Sequence, residues 1–378
     1  MSNIKKRSFI QLILKKSKPA MYLRHLLRKA KSTFKRICFF FYVNFPLGDK
    51  VFLIGTPNHI NIGDSAIVLA EIKMLKKLFK PKRVKEITTS ETENFSKTIL
   101  HAIKERDIIF CHGGGNLGNL WYEAEELRYR LISSFPKNRI IIFPQTVYFT
   151  NDEKGKKALK TAKTYYESHK ALTIVARDKV SYELLNRYFY NPELIISPDT
   201  VLSTGMKDYN VSVRLRKGIL LVFRNDKEKK MTDNDRKIIT GFLKENKLSY
   251  KITDLYAECP VTRQNRMGIV SKKLQSFADA ELVITDRLHG MIFSAITGTP
   301  CIVFGNNHHK VQENYEWLSF LPYIRFTEKT EDVRYLIPEL LEMKTCCYDN
   351  THLKPYFDTL ERRIGNHANQ RNCTCIQS

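Results

Sequence analysis

From Val51 onwards, short apolar runs end repeatedly in polar or glycine-rich turns, and each is followed by a segment with helical spacing. Such alternation predicts parallel βαβ units. The first series comprises VFLIG (Val51 to Gly55), DIIF (Asp107 to Phe110), RIIIFPQT (Arg139 to Thr146), LTIVARD (Leu172 to Asp178) and ELIISPDT (Glu193 to Thr200). After the first run, the loop TPNHINIGD predicts a helix from Ala66 towards Phe79 with Asp64 or Ser65 as its cap. After the second, CHGGGNLGN leads to a helix near Tyr122 to Ser133. A second series opens with GILLVFRND (Gly218 to Asp226) and a polar helix over Asp233 to Glu245. It continues with the strand SYKITD (Ser249 to Asp254), a helix through Gly268 to Phe277, and ELVITDRLHG. The helix Met291 to Thr297 and the strand CIVFG (Cys301 to Gly305) follow.

Between the two series, Ser203 to Lys217 is polar and pattern-poor, and 378 residues exceed what one hydrophobic core usually organises. The expected fold class is therefore α/β, with two Rossmann-like αβα domains facing a cleft. The expected segments are an N-terminal arm at 1–48, domains at 49–208 and 209–335, and a C-terminal helical segment and tail at 336–378. Open α/β sheets bind ligands at the carboxyl ends of their strands, so the cleft is the expected site.

Charge adds a partner. The net charge is +24, and twelve Lys or Arg residues fall between Met1 and Arg36, ahead of the first acid, Asp49. Apolar residues such as Phe9, Ile10, Leu12, Tyr22, Leu26 and Leu27 lie between them. A basic amphipathic arm suits an anionic lipid surface, so peripheral contact with an anionic membrane through residues 1–48 is expected; a solvated arm is the plain alternative. No stacking motif or nucleic-acid fold signature accompanies the charge, so no nucleic-acid partner is expected. The run Ile37 to Val43 is broken by Asn44 and Pro46, falls short of a membrane span, and lacks a cleavage site. The expected location is cytoplasmic, peripheral on the inner face of the plasma membrane. Cys38, Cys111, Cys259 and Cys301 stand singly, and neither Cys346-Cys347 nor Cys373-x-Cys375 has zinc spacing, so no metal is expected.

The loops carry the candidate chemistry. His112-Gly113-Gly114-Gly115-Asn116 follows a strand, and its glycine amides could cradle an anion at a helix start or simply make a tight turn. Arg177, Arg224 and Arg287 each stand at a strand end, where a guanidinium can fork onto a carboxylate or phosphate. Asp178 and Asp286, their neighbours, offer the alternative of structural ion pairs. His289, two residues past Arg287, can exchange a proton near neutral pH, and His308 and His309 sit in the loop after the next strand.

NIGDSA (Asn61 to Ala66), the HGGGN loop, FPQT, ARD (Ala176 to Asp178), SPD (Ser197 to Asp199) and TDRLHGMIFSAITGTPCIVF (Thr285 to Phe304) together resemble the polysaccharide pyruvyl transferases, from about Val51 to Leu318. The resemblance implies a GT-B-like fold, phosphoenolpyruvate as co-substrate with no other cofactor, and an oligosaccharide or lipid-linked sugar as acceptor. It places His289 and Arg287 as catalytic residues of the donor site, with Arg177 as partner. The residue reading adds Arg224, Gly113, Gly114, Gly115 and Asn116 to the donor side. Fold analogy puts the acceptor near Asn58, Asn61 and Asp64. Two alternatives stand beside this: a sugar-nucleotide glycosyltransferase on the same architecture, and a non-catalytic scaffold of a polysaccharide assembly complex.

Overall fold

The computed structural model describes residues 18–226, 229–305, 310–343 and 346–370. His308, His309, Cys373, Cys375 and the first part of the basic arm lie outside the described residues.

A helix α1 (Lys18–Asn44) precedes the first lobe. That lobe runs β1 (Val51–Thr56), α2 (Ile62–Leu78), β2 (Val84–Thr88), α3 (Thr89–Asn94), α4 (Ser96–Ala102), β3 (Ile108–Cys111), β4 (Gly114–Gly118), α5 (Tyr122–Ser134), β5 (Arg139–Tyr148), α6 (Glu153–Ser168), β6 (Leu172–Ala176), α7 (Lys179–Tyr188) and β7 (Glu193–Ile196). The second runs β8 (Ile219–Val222), α8 (Asp233–Glu245), β9 (Tyr250–Thr253), α9 (Arg266–Ala278), β10 (Leu282–Thr285), α10 (Leu288–Thr297), β11 (Cys301–Phe304), α11 (Lys310–Tyr315), β12 (Ile324–Thr327) and α12 (Val333–Leu341). A final helix, α13 (Lys354–Gln370), crosses back to the first lobe, where Phe357, Leu360 and Ile364 are buried and Lys77 pairs with Glu361 at 2.6 Å.

Both sheets are parallel, ordered β2-β1-β3-β5-β6-β7 with β4 beside the far end of β5, and β12-β11-β10-β8-β9. Central strands such as β10 and β11 are buried at every position and almost wholly apolar, as expected of strands covered on both faces. The lobes share one continuous core, in which Val51, Leu53 and Ile67 belong to the same packed cluster as Leu220, Val222 and Leu274. Backbone bonds also join them: Ile62 N–H donates to Leu255 O at 2.9 Å, and Ala257 N–H to Ile60 O at 2.7 Å. Arg263, ahead of α9, donates to Glu91 Oε1 at 2.9 Å and stacks over the Tyr42 ring of α1 at 5.2 Å.

Two expectations are corrected. The helix after β1 starts at Ile62, with Asn61 as its cap accepting from Gly63 N–H at 2.9 Å, rather than with Asp64 or Ser65. Ile62 is buried, so an earlier start puts one more apolar side chain in the core. The glycine loop does not open a helix: Gly114 to Gly118 form β4, whose extended backbone finds its partners on β5.

The C-terminal end of α1 is packed through Phe39 and Val43, while Tyr22 and the residues from 25 to 38 are exposed. At the helical repeat, exposed Tyr22, Leu26, Leu27, Phe34, Ile37, Phe40 and Phe41 fall on one arc of about 140°. Arg28, Lys29, Lys31, Lys35 and Arg36 occupy the rest of the circumference. No described helix is long and apolar enough to cross a membrane.

Candidate active site

The carboxyl ends of β1, β3, β6, β8 and β10 open onto a cavity of about 540 Å³ between the lobes. Among the expected residues, Arg177, Arg224, Arg287, His289, Gly113, Gly114, Gly115, Asn116, Asn61 and Asp64 line it. Asn58 does not, since its side chain turns outward to donate to Ser90 Oγ at 2.8 Å. Five cationic side chains, the three arginines with Arg128 and Lys310, face three carboxylates on the lining, Asp64, Glu123 and Asp226. That surplus of positive charge suits an anionic ligand.

The arginines are engaged differently from one another. Arg177 is buried, donates through Nη1 to Asp199 Oδ2 at 2.9 Å, and places its Nε and Nη2 on Thr146 Oγ1. Trp317 of the second lobe holds its carbonyl at 2.8 Å. Arg287 forks onto both oxygens of Asp254 at 2.8 Å, donates to Asp226 at 2.7 Å, and stacks on Tyr256. Arg224 shares Asp226. Arg224 and Arg287 are thus held by carboxylates at the strand ends, which fixes them but offsets their charge. Neither aspartate pairs with the arginine beside it in the chain: Asp178 caps α7 through Ser181 N–H, and Asp286 accepts the backbone N–H of Arg224.

His289 lies in the first turn of α10, where Gly290 lets the helix sit on Thr285: a Cβ there would stand 2.2 Å from Thr285 Oγ1. From the other lobe, the start of α2 comes so close that a Cβ on Gly63 would fall 2.6 Å from the imidazole ring. His289 Nε2 is buried without a hydrogen-bond partner among the described residues and lies 3.6 Å from Asp199 Oδ2. Burial pushes its pKa below the ordinary imidazole value; Arg177 and Arg287 push the same way, while Asp199 and Asp64 oppose. The ring is therefore neutral at physiological pH.

The glycine loop offers less open backbone than expected. Gly113 N–H is taken by Glu71 Oε1 at 2.8 Å and Asn116 N–H by Gln145 Oε1 at 3.1 Å, while Asn116 Oδ1 accepts from Arg128. Cations flank the loop instead. A Cβ on Gly115 would stand 3.1 Å from Arg177 Nη2 and 3.5 Å from Lys310 Nζ, and Lys310 donates to Gly115 O at 3.3 Å. Lys310 comes from the second lobe, so both lobes bring a cation to this point.

Three functional features escaped the sequence reading. Lys310 carries no motif beyond following a polar loop. Asp226 and Asp254 end the strand runs GILLVFRND and SYKITD, a signal that was available. Glu71 interrupts an apolar helix face, and its carboxylate meets His112 Nδ1 at 2.7 Å inside the first lobe. Among the described residues no group of three or more His, Cys, Asp or Glu side chains is placed to hold a metal ion.

Comparison with known proteins places this geometry. The family model described as "Polysaccharide pyruvyl transferase" matches residues 61–308. The chain is 37% identical over 301 residues to general stress protein 30 of Bacillus subtilis (strain 168), covering 78% of this chain and 85% of the relative. It is 30% identical over 285 residues to pyruvyl transferase 1 of Schizosaccharomyces pombe (strain 972 / ATCC 24843), covering 71% and 70%. A functionally uncharacterised protein from Klebsiella pneumoniae shares the fold, with a TM-score of 0.51 and 17% identity over 79% of this chain and 98% of that one.

Proposed function

The chain belongs to the polysaccharide pyruvyl transferase family, and from that premise we propose that it moves the pyruvyl group of phosphoenolpyruvate onto a pair of sugar hydroxyls as a cyclic ketal. The observation that carries the donor is the cationic pair around Gly115: Arg177 from one lobe and Lys310 from the other, beside a neutral His289. Phosphoenolpyruvate carries a phosphate and a carboxylate on a three-carbon frame, which two neighbouring cations, one from each lobe, can hold.

In this reaction the methylene carbon takes a proton and the central carbon becomes electrophilic. One sugar hydroxyl attacks it, the phosphate leaves, and a second hydroxyl closes the ring. His289, buried and neutral beside Asp199, suits the base that takes the proton of the attacking hydroxyl and passes it to the departing phosphate. Arg177 and Lys310 would stabilise charge on that phosphate. Arg287, saturated by Asp226 and Asp254, serves to set the wall that carries His289. Asn61 and Asp64, hydrogen-bonded to each other at 2.8 Å at the start of α2 beside His289, suit the acceptor side.

The acceptor in this reading is a cell-surface oligosaccharide or its lipid-linked precursor, met at the inner face of the plasma membrane. The exposed apolar arc of α1, bordered by cationic side chains, supports a peripheral contact with anionic lipid. The test in cells is the ketal content of the surface polymer, which should fall to the background level when this protein is removed and return with the wild-type gene. Unchanged ketal content would refute the assignment.

A further inference from the structure

His112 and Glu71 form a buried pair that the scheme above leaves unused. His112 lines the cavity, whereas Glu71 lies behind it, fully buried in α2. The carboxylate grips on both sides: Oε2 meets His112 Nδ1 at 2.7 Å and Oε1 accepts Gly113 N–H at 2.8 Å. Neither the carboxylate nor the ring can rotate without breaking one of these bonds. With Nδ1 committed, the remaining ring nitrogen is Nε2, and it has no hydrogen-bond partner among the described residues. A carboxylate fixing one nitrogen of an imidazole so that the other works on a ligand is a recurrent way to set a proton carrier.

We propose that His112, positioned by Glu71, is the group that delivers a proton to the methylene carbon of the enol phosphate. The inference rests on the phosphoenolpyruvate reading above. Other cavity groups fit the task less well. His59 sits on the exposed rim, 3.4 Å from Asp64, and His289 is neutral. Burial alone would strip His112 of its proton, but the charge and hydrogen bond of Glu71 outweigh it and hold its pKa above the ordinary imidazole value. Asp64 adds to that pull, and Arg266 of α9 opposes it. Two imidazoles on one cavity pushed in opposite directions divide acid from base.

The proton balance closes. His112 gives its proton to the methylene carbon, which becomes a methyl group as the first hydroxyl oxygen bonds to the central carbon. The proton of that hydroxyl passes through His289 to the phosphate as the carbon–oxygen bond to phosphorus breaks. The second hydroxyl then bonds to the same carbon, and its proton restores His112. No oxidant, reductant or further reactant is needed.

The test compares full-length wild type, His112→Gln, Glu71→Gln and the double variant, in which two carboxamides can keep a hydrogen bond in place of the buried pair. Each is given phosphoenolpyruvate and a panel of methyl hexosides and methyl N-acetylhexosaminides. Ketal methyl signal and released phosphate are followed against pH, and phosphoenolpyruvate affinity is measured separately by calorimetry. We expect His112→Gln and the double variant to lose about 100-fold or more in kcat while keeping donor affinity. Glu71→Gln should move the alkaline limb of the rate profile to lower pH by about one unit or more. His112→Gln turning over within about threefold of wild type, a loss confined to donor affinity, or an unmoved alkaline limb in Glu71→Gln would each overturn the assignment of His112 alone. A wild type that forms no ketal with any of the panel overturns the parent reading as well.

Discussion

Asp199 and His289, one from each lobe, approach to 3.6 Å between Oδ2 and Nε2. The carboxylate is fixed by Arg177 at 2.9 Å and by Val201 N–H at 3.0 Å, so the imidazole is what remains unsatisfied. The separation is too long for a hydrogen bond, and a buried nitrogen left without a partner is unfavourable unless the site has a use for it. Burial, helped by the positive charge of Arg177 and Arg287, keeps that imidazole neutral despite the carboxylates of Asp199 and Asp64.

This arrangement predicts a bell-shaped dependence of kcat on pH. His289 must be neutral, and its pKa lies below the ordinary imidazole value of about 6.5. His112 must be protonated, and its pKa lies above that value. The rate should rise as pH climbs through the first, hold across neutrality, and fall through the second; a profile with a single limb would contradict it. Stability carries its own sign. Below about pH 6.5 the unfolded chain takes up a proton at His289 that the folded protein resists, so wild type should lose stability relative to His289→Gln as pH falls. Above that pH the two should show no pH-dependent difference from this residue. Urea unfolding at pH 5 and pH 8 reads the effect.

Arg287→Lys should act on structure before chemistry. Lysine cannot make the fork onto Asp254 while also reaching Asp226, so the two carboxylates lose partners in a partly buried wall. The expected loss is about 2 kcal/mol of unfolding free energy, measured by urea denaturation. A variant of unchanged stability that no longer binds phosphoenolpyruvate would instead make Arg287 a direct donor ligand.

Gly63→Ala tests the contact between lobes at the imidazole. The added methyl would start 2.6 Å from the His289 ring, so either the ring or the start of α2 must shift. Because sub-ångström misplacement of a reacting group is expensive, kcat should fall about tenfold or more while the melting temperature changes little. Retained kcat would show that the ring position is not critical.

The helix α1 predicts lipid binding independent of turnover. Wild type should sediment with vesicles containing phosphatidylglycerol and not with phosphatidylcholine alone, and salt should weaken the binding. Replacing Phe40 and Phe41 with Ser should release it without altering kcat on a water-soluble acceptor. Equal binding to both kinds of vesicle, or none, would contradict the peripheral contact.

Much of the architecture was legible because its core strands are predominantly apolar: VFLI, RIII, LTIVA, ILLV, LVIT and CIVF each stand out against polar turns. The strands that were missed lack that contrast. β2 is VKEIT, whose Lys85 and Glu86 are buried at the sheet edge, β12 is IRFT, and β4 is the glycine-rich GGNLG. At the site, residues at strand ends were found by position, which is how Arg177, Arg224, Arg287 and His289 came to one cavity. Pairing was not readable, because the carboxylates that hold Arg287 lie 33 and 61 positions away in the chain. The same holds for Glu71 and His112, separated by 41 positions and joined only when α2 packs beneath β3.

The most direct test of the central claim is to incubate purified protein with phosphoenolpyruvate and an oligosaccharide lipid from the host envelope, following phosphate release and the ketal methyl resonance together. The account predicts phosphate released in step with one new methyl signal per transferred group, dependent on the acceptor. Unconsumed phosphoenolpyruvate, with turnover of a nucleotide sugar under the same conditions, would contradict it and favour a glycosyltransferase.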